Sequence, residues 1–544
     1  MLRLIAFLLA ALFAGMTAAA DAVTAADGKR IYREGLLPSG LPLRGMVQNG
    51  VELSGGDAAC AKCHRRSGLG GGEGQNTIIP IAGRQLFSRP EVRGSERVRA
   101  LLDVDEIRAP YTGASLARAL REGVDPAGRK LDPLMPRFAL SDAEIAPLAA
   151  YLKTLSVEPA PGVTDSEIHF ATIIAPGVAP QSTRAMLDVL HAFFRDKNGG
   201  TRLESRRKAA GTEQMYRVYR KWVLHEWTLS GSPESWQEQL EARYRQQPVF
   251  AVLSGIGAGS WRPVHEFCEQ AEIPCVFPNV DYPEIARPGY STLYFSRGVA
   301  LEAEVLAKHL ADNRQAGHSG RIVQVFRDHA AGRMPAQALR LALQRHGIEE
   351  VSDHPVSGET PVSPAFWSRL LDEARPGVLV LWLDDDDIGN LHGQGEMPSG
   401  MENIYISGSL IVRPCRVLLF GDWLERMRLV YPFELTERRQ QRLSRVKHWL
   451  AARKIAPVNE RIQSSTYFAA TIAGDALSHM GDTFSRDYFI ERVEHMTEQS
   501  LSSAIYPRLS LGPGQRFASR GSYVARFPGE GEYMLVPVSE WIVP

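Results

Sequence analysis

The sequence predicts a multidomain protein in which a small all-α domain precedes a larger α/β domain. The 544 residues exceed the length that one hydrophobic core usually supports. Short helical stretches separated by glycine-rich loops fill residues 27–157, whereas apolar strand-like runs alternate with amphipathic helical segments through residues 166–544. Strands that alternate with helices favour parallel βαβ units. We interpret the proline- and glycine-containing residues 158–165 as a linker between the two domains.

The amino terminus has the pattern of a secretory signal peptide. Arg3 precedes the apolar run Leu4–Met16, and three alanines follow at residues 18–20. We therefore expect residues 1–20 to be a signal peptide. The alternative, an uncleaved membrane anchor, is disfavoured because the run is shorter than the roughly 20 residues that span a bilayer. No later segment approaches that length without charges, so we expect no membrane span after signal cleavage.

The charge balance argues against a polyanionic partner. The chain contains 62 basic and 62 acidic residues. Domains that bind nucleic acid usually carry a clear excess of positive charge. We therefore expect no nucleic acid partner.

Cys60-Ala61-Lys62-Cys63-His64 is the most specific motif in the chain. Two thiols three positions apart can bond to the two vinyl groups of one porphyrin, and the adjacent histidine can then bind the iron. A structural zinc site would need a second ligand pair, but the next cysteine is Cys268. A thioredoxin-like thiol pair would lie between a strand and a helix, whereas this motif lies in a glycine-rich loop, so the sequence disfavours that alternative. The motif predicts one covalent haem c, held by Cys60, Cys63 and His64, and with the export signal it predicts a bacterial periplasmic location.

Around this motif the chain resembles the class I cytochrome c domains. The resemblance extends over residues 27–157 and follows the order of that family's elements. These elements are an opening helix around Arg30–Tyr32, the haem motif, Ile79–Gly83, a helix Ser115–Glu122 closed by Gly123, Leu134–Phe138 and a last helix.

The resemblance implies the remaining contacts of the haem. The family uses a methionine before a proline as second axial ligand, and Met135 matches that place, whereas Met46 precedes the motif. A thioether opposite an imidazole raises the potential of iron, which suits an electron carrier. The family also holds the other ring nitrogen of its histidine on a proline carbonyl, for which Pro80 is the matching position. With both axial positions filled, we expect an electron carrier rather than a catalyst.

The last helix of this domain has a recognisable start. Ser141 and Glu144 have the spacing of a capping box, in which each side chain satisfies a backbone amide of the other. Pro147 falls inside the helix and removes a backbone hydrogen bond. One apolar face is expected to pack on the first helix, and it consists of Ile145, Leu148, Leu152 and Leu155.

From residue 166 onward the chain resembles the type I periplasmic substrate-binding proteins of ABC transporters, in the branch that binds leucine, isoleucine and valine. That resemblance implies two α/β lobes joined by a hinge, with a small-molecule ligand held at the carboxyl ends of strands. The segments that carry it are Ile168–Ala175, Asn198–Gly200, Phe250–Gly255, Ile273–Pro278, Pro283–Tyr290 and Ser465–Ala470.

The resemblance also implies a ligand cleft, and the sequence departs from the family there. Gly259 and Asp281 stand where the amino-acid binders have hydroxyl side chains, and a carboxylate at Asp281 would repel the carboxylate of an amino acid. Together with the Asp384–Asp387 run it could favour a cation or an amine, although such runs more often cap helices. Loop serines also commonly cap helices. The candidate cleft residues are Ser254, Gly259, Ser260, Asp281 and Asp384.

Three cysteines lie outside the haem motif. Cys268 and Cys275 are close enough in sequence for a disulfide in an oxidising compartment, although only their geometry can decide this. Cys415 is expected to be a small buried hydrophobic residue.

Two functional hypotheses follow, and a third competes with them. The first is an electron-transfer protein whose second domain senses a small molecule or docks a periplasmic redox partner, either a dehydrogenase or an oxidase. The second is an ABC transporter substrate-binding protein with an accessory haem. The third, a haem enzyme, would need an exchangeable ligand on the iron. A transport receptor needs only the two-lobed domain, so the fused haem domain favours the first hypothesis.

Overall fold

A computed structural model describes most of the chain. The described residues are 25–48, 50–73, 76–89, 108–207, 220–315, 320–358, 361–391, 397–411, 421–497, 504–528 and 534–544. The predicted signal peptide and Cys415 lie outside them. The chain divides into two compact units, of which the first runs to Ala160 and also includes Met480–Glu491. The second unit consists of Pro161–His479 and Arg492–Pro544.

The first unit is mainly helical, with short antiparallel strands that pair in the order β2-β1-β5 and β3-β4. Its elements are α1 (25–34), β1 (Arg44–Met46), β2 (Glu52–Ser54), a 3-10 turn (Gly55–Asp57), α2 (Cys60–His64), β3 (Gly71–Glu73), β4 (Asn76–Ile78), α3 (Gly83–Phe87), α4 (Gly113–Glu122), β5 (Arg137–Phe138) and α5 (Asp142–Thr154). The predicted end of α4 is confirmed, because Gly123 follows it with a φ of 71°.

The first and last helices of this unit make a close approach. A Cβ placed on Gly28 in α1 would lie 2.0 Å from the carbonyl oxygen of Pro147 in α5, so only glycine fits there. The capping box of Ser141 and Glu144 starts α5, as predicted. The apolar face of α5 belongs to the core of this unit, which includes Ile31, Tyr32, Ile145, Leu148, Leu152 and Leu155.

The second unit is an α/β structure with two sheets. The elements up to the end of the first sheet are β6 (Glu167–Ile174), α6 (Pro180–Arg207), β7 (Lys221–Thr228), a 3-10 turn (Pro233–Ser235), α7 (Trp236–Gln246), β8 (Ala251–Leu253), β9 (Ile256–Gly257), α8 (Arg262–Gln270), β10 (Cys275–Val276), β11 (Asn279–Val280) and β12 (Thr292–Leu293). The remaining elements are α9 (Val299–Gln315), β13 (Ile322–Arg327), α10 (Ala330–Arg345), β14 (Val351–Val356), α11 (Pro364–Ala374), β15 (Val378–Trp382), α12 (Asp385–Ile388), β16 (Asn403–Ser407), α13 (Asp422–Glu425), β17 (Met427–Tyr431), α14 (Thr436–Arg442), α15 (Ser444–Ala452), α16 (Glu460–Met480), α17 (Arg486–Thr497), β18 (Tyr523–Arg526) and β19 (Val536–Pro537).

Each sheet forms the centre of one lobe, as the resemblance implied. In the first lobe the strands are parallel in the order β11-β9-β6-β8-β10-β12, and β7 also pairs with β6. In the second lobe the order is β14-β13-β15-β16-β17-β18-β19. Its first five strands are parallel, and β18 and β19 are antiparallel. The central strands β6, β8, β13, β15 and β16 are largely buried and rich in branched apolar residues, whereas β7 and β14 are more exposed.

Three segments cross between the lobes, and we call them the hinge segments: residues 294–298, 432–435 and 504–522. They are hydrogen-bonded to one another. Tyr294 donates its amide to the carbonyl of Arg516 at 2.8 Å, and Glu434 donates its amide to the carbonyl of Ile505 at 2.8 Å. The chain therefore passes from the first lobe to the second, returns through α14–α16, and passes to the second lobe again at β18.

The predicted bond between Cys268 and Cys275 is not present, which corrects that hypothesis. Cys268 lies on α8 and Cys275 begins β10, and both side chains are buried in the apolar core of the first lobe. The structure has a thiol at each position. Both act there as small apolar core residues.

No helix among the described residues is long and apolar enough to cross a bilayer.

Candidate functional sites

The haem motif forms the helix α2, and His64 is its last residue. The residue is only 7% exposed, and its Nδ1 lies 3.0 Å from the carbonyl oxygen of Ile79. Because a carbonyl can only accept, Nδ1 is the protonated nitrogen, and Nε2 keeps a lone pair for a metal. Burial lowers the pKa of His64, and the hydrogen bond to Ile79 only partly opposes this. The ring is therefore neutral at pH 7, as an iron ligand must be.

The prediction that Pro80 supplies this carbonyl is wrong by one residue. The acceptor is Ile79, which immediately precedes Pro80. A residue before proline is biased toward extended backbone. Neighbouring carbonyls of an extended chain point in opposite directions, so only one of the two can face the imidazole.

The two thiols of the motif lie three positions apart on α2, where such residues share one helix face. Cys60 is half-buried and packs against the core of the first unit, while Cys63 is exposed. Burial raises the pKa of the Cys60 thiol to about 12, so it is protonated at neutral pH. One thiol therefore points inward and the other lies at the surface, along the same face.

Met135 is half-buried and packs against the same core as Cys60. Its amide donates to the carbonyl of Asp132 at 3.1 Å, and the guanidinium of Arg137 donates to its carbonyl. Gly123 makes room for that guanidinium, since a Cβ there would lie 2.1 Å from Arg137 Nε. The other methionine of this domain, Met46, lies on β1 and is 46% exposed. Arg137 thus supports the Met135 loop, a role that sequence reasoning missed.

The loop that follows His64 is held by partners that are distant in sequence. Tyr32 donates its hydroxyl to the carbonyl of Arg65 at 2.7 Å. The buried Ser67 donates its amide at 2.9 Å and its hydroxyl at 2.5 Å to the carboxylate of Glu491, which belongs to the same compact unit. These contacts fix the backbone next to the histidine. No local sequence signal identifies them.

The residues of this site fit a covalently bound haem. Two thiols share a helix face, a neutral imidazole is oriented by its Nδ1 hydrogen bond, and a thioether packs on the same core. Ile79 and Leu134, which adjoin these groups in sequence, are large apolar residues that are 57% and 59% exposed. Exposed apolar surface of this kind usually marks a binding surface, and a porphyrin ring is apolar over most of its area. When bound, a haem supplies reversible one-electron chemistry at iron.

In the second unit, Ser254 directly follows β8 and lies behind the surface of the predicted cleft. The residue is fully buried and has a φ of 58°. Asn279 donates its side-chain amide to the hydroxyl of Ser254 at 3.0 Å and to that of Thr466 at 3.2 Å. The hydroxyls of Ser254 and Thr466 are 3.3 Å apart. Ser254 therefore joins α16 to the first sheet, which corrects its prediction as a ligand contact.

Asp281 is paired with an arginine that sequence reasoning did not identify. Arg461 on α16 donates through both terminal nitrogens to the Asp281 carboxylate, at 2.8 and 3.1 Å. Burial alone would lower the pKa of Arg461, but the attraction of Asp281 outweighs it and the pKa is raised. Between a quarter and a third of each side chain is exposed. The charge of Asp281 is thus compensated, and its predicted repulsion of a ligand carboxylate is wrong.

The aspartate run after β15 is used within the fold. Asp384 caps α12 by accepting the amides of Asp386 and Asp387 at 3.1 Å. The carboxylate of Asp387 accepts from the guanidinium of Arg327. No group of three or more metal-ligating side chains occurs among the described residues. The alternative of a helix cap is therefore confirmed for Asp384, and the described carboxylates of this run are used in contacts within the fold.

Beside the Asp281–Arg461 pair lies a buried carboxylate, Glu302 on α9. It has no exposed surface, and its Oε2 accepts the amide of Gly408 at 3.0 Å. Burial raises the pKa of Glu302 to about 7, while the hydroxyls of Ser409 and Ser407 lower it in part. The sequence showed only a glutamate in a helix, so its burial was not predictable from local pattern.

Two tyrosines adjoin the same charged cluster. Burial, and then the negative charge of Asp281, raise the pKa of Tyr282. Burial also raises the pKa of Tyr506, although Arg461 opposes the shift. Both phenols are therefore neutral hydrogen-bonding groups at physiological pH.

Gly259 and Ser260 lie in the loop before α8. The space where a side chain of Gly259 would begin is open, with no atom within 4 Å. The hydroxyl of Ser260 accepts the amide of Arg262, the first residue of α8, at 3.4 Å. Their contact with a ligand stays a prediction.

Comparisons with known proteins agree with this architecture. Residues 47–156 match the cytochrome c family model, and residues 230–531 match the periplasmic binding protein family model. No curated protein matches the chain. A cytochrome c domain implies a covalently bound haem, and the two families together point to an extracellular or periplasmic location.

Several solved structures share the fold of the second unit. A possible leucine/isoleucine/valine-binding protein from Rhodopirellula baltica is 14% identical, with a TM-score of 0.52, over 69% of this chain and 97% of that one. A branched-chain amino acid ABC transporter protein from Thermus thermophilus with bound valine is 13% identical, with a TM-score of 0.51, over 70% and 98%. A solute-binding protein from R. palustris in complex with benzoate has the same identity, TM-score and coverage. The family match extends over more than half of the chain, which belongs to the periplasmic binding protein family and carries a cytochrome c domain at its amino-terminal end.

Proposed function

We propose that this protein is a periplasmic electron carrier with one covalent haem, bound to Cys60 and Cys63 and ligated axially by His64 and Met135. The observation that carries the proposal is the 3.0 Å contact between His64 Nδ1 and the Ile79 carbonyl. It fixes the tautomer that leaves Nε2 available for iron and orients the ring plane. A metal-binding histidine commonly has its other nitrogen held in this way.

The ligand set favours electron transfer over catalysis. His64 and Met135 would hold the iron of a bound haem from two sides, which would leave oxygen and peroxide no open site on the metal. A thioether ligand raises the reduction potential, which suits acceptance of electrons from a dehydrogenase or their delivery to an oxidase. A redox partner of this kind in the periplasm is therefore part of the proposal.

The two-lobed unit is proposed to bind a small molecule near the Asp281–Arg461 pair. Support comes from the family match and from the position of this pair after the end of β11, where binding-protein folds hold ligands. Tyr282 and Tyr506 supply neutral donors beside the pair. Because Asp281 is already neutralised, we expect a ligand that does not need a free carboxylate from the protein. Ligand binding would then change either the haem domain or the docking of a partner protein.

The test of haem attachment uses the full chain, produced with a c-type maturation system. The wild-type protein is expected to keep haem after denaturation, seen as a haem-stained band on a denaturing gel. Replacement of both Cys60 and Cys63 by alanine should abolish the band, whereas Cys275→Ala, a thiol outside the motif, should retain it. A wild-type protein that lost all its haem on denaturation would refute the proposal.

Redox titration, with and without candidate ligands, tests the link between the two functions. A midpoint potential that shifts on ligand binding supports a coupled sensor. A ligand that binds with no shift would favour the alternative, a substrate-binding protein of an ABC transporter with an accessory haem. Carbon monoxide binding to the reduced protein would contradict the filled axial positions.

A further inference from the structure

A second pocket lies among the hinge segments of the two-lobed unit. Its volume is about 380 Å³, large enough for a small organic molecule and much larger than a single inorganic anion needs. Residues from three parts of the chain line it: Glu434 and the helix α14 after it, Pro507 and Arg508, and Tyr523 at the start of β18. The ligand cleft described above is lined by other side chains.

The pocket carries an excess of positive charge. Three guanidinium groups, those of Arg438, Arg442 and Arg508, face a single carboxylate, that of Glu434. Arg442 pairs with Glu434 at 3.0 Å, and only 3% of the Glu434 side chain is exposed. Within the described part of the chain, no carboxylate lies at salt-bridge distance from Arg438 or Arg508. Among the described residues, two positive charges of the pocket therefore stay without a carboxylate partner after the Arg442–Glu434 pair is formed.

The walls of the pocket are held by the hinge. The amide of Glu434 donates to the carbonyl of Ile505 at 2.8 Å. Tyr523 is buried and pairs with Tyr431 in the register of β17 and β18. Its ring lies 4.9 Å from that of Trp541. Both sides of the pocket are thus set by backbone contacts and ring packing.

The three arginines of the pocket lie close to the hydroxyl of Tyr523. The guanidinium of Arg508 stacks over Trp541 at 5.8 Å. Burial and Glu434 raise the pKa of Tyr523, and the charges of Arg438, Arg508 and Arg442 lower it, so all three lie within electrostatic reach of the phenol. The pocket therefore combines several guanidinium donors with a neutral hydroxyl.

We propose that this pocket binds a small organic acid that carries two or more carboxylate groups. Guanidinium groups bind carboxylates through paired hydrogen bonds, and separated arginines favour a ligand with more than one such group. The pocket is larger than inorganic phosphate needs, so its volume favours an organic acid. Because the lining comes from two of the three hinge segments, 432–435 and 504–522, together with α14 and Tyr523, a bound anion would join these two segments.

The experiment is calorimetric titration of the full, haem-containing protein with citrate at low ionic strength. We expect saturable binding that weakens as salt is added. The double variant R438Q/R508Q should bind citrate at least about tenfold more weakly, because two charged donors are lost. The matched control is the double variant R445Q/R369Q. Arg445 on α15 and Arg369 on α11 are exposed arginines outside the pocket lining. That control should bind citrate like the wild type.

Further titrations distinguish binding in this pocket from binding in the cleft and from general attraction of anions to the surface. Inorganic phosphate should bind more weakly than citrate, and glycerol, which has no charge, should not bind. Unchanged melting temperatures show that the variants are folded, and citrate should raise the melting temperature of the wild type but not that of R438Q/R508Q. The inference is overturned if the wild type does not bind citrate, if R438Q/R508Q and the control lose affinity equally, or if R461M abolishes binding, since that result would place the anion in the cleft.

Discussion

The proposed haem site and the proposed ligand cleft are assembled in opposite ways. Three of the four proposed haem contacts lie within five consecutive residues, and the short helix α2 presents them together. The cleft pair joins Asp281 to a partner 180 positions away, and Ser254 meets Thr466 across 212 positions. A covalent cofactor site can therefore be local, because the chemistry of attachment selects the residues. A binding cleft depends on topology, which brings distant segments to the same strand ends.

The two regions also differ in how they manage charge. His64 is neutral and buried, so changes there should alter the chemistry at a bound metal. The cleft holds the paired Asp281 and Arg461 beside the buried Glu302, so changes there should alter stability with pH and charge. All nine tryptophans lie beyond residue 220, so tryptophan fluorescence reports the second unit, and haem absorbance reports the first.

The largest effect is expected at Met135. Met135→Leu removes the thioether, so the reduction potential should fall by roughly 0.1 V or more, within the roughly 0.8 V range that axial ligands span. The reduced variant should also bind carbon monoxide. Potentiometric titration measures the first effect and optical spectroscopy the second. Met46→Leu, at the exposed methionine of the same domain, is the control and should change neither; equal behaviour of the two variants would remove Met135 as a ligand.

Glu302 is expected to make the second unit less stable as pH rises. Its pKa in the folded protein is about 7, above the ordinary value of 4.5, so between these values unfolding releases a proton. Stability is thus highest below pH 4.5 and falls until pH 7. Glu302→Gln should remove this slope and gain up to about 3 kcal/mol at pH 8, with little change at pH 4.5. Denaturant unfolding followed by tryptophan fluorescence measures it, with the exposed Glu437→Gln as control.

A smaller effect is expected from breaking the cleft pair. Asp281→Asn leaves the charge of Arg461 without its partner and should destabilise the second unit by about 2 kcal/mol, less than a fully buried pair because both side chains are partly exposed. The double variant D281N/R461M should recover part of the loss. Glu266→Gln, which breaks an exposed helical pair with Arg262, should cost under about 1 kcal/mol. Equal losses at the two sites would show that the cleft pair is an ordinary surface ion pair.

The smallest effect concerns the first unit alone. Ser141→Ala removes the capping box of α5 and should cost about 1 kcal/mol. Unfolding followed by haem absorbance should show this loss, while tryptophan fluorescence should not. Ser88→Ala, at an exposed serine that follows α3, is the control. A Ser141 variant as stable as the control would mean that packing of α5 on α1 is sufficient to hold its start.

Features whose partners are close along the chain could be predicted from the sequence. The haem motif, the capping box of Ser141 and Glu144, and the glycine at the end of α4 each depend on spacings of a few residues. The alternation of strands and helices was also enough to predict the α/β unit. The carbonyl that holds His64 was missed by one position, because the direction of a carbonyl depends on backbone angles that a sequence pattern does not specify.

What the sequence determined by itself is therefore the chemistry of the first site and the class of each domain, since both follow from residue types at short, regular intervals. Only the tertiary structure decided that Arg461 neutralises Asp281, that Ser254 is buried against Thr466, and that Glu302 is enclosed without charge compensation of its own. The physical reason is that electrostatic energy depends on distance and solvent exposure. Both quantities arise when distant segments meet in the fold, and neither is encoded in local sequence pattern.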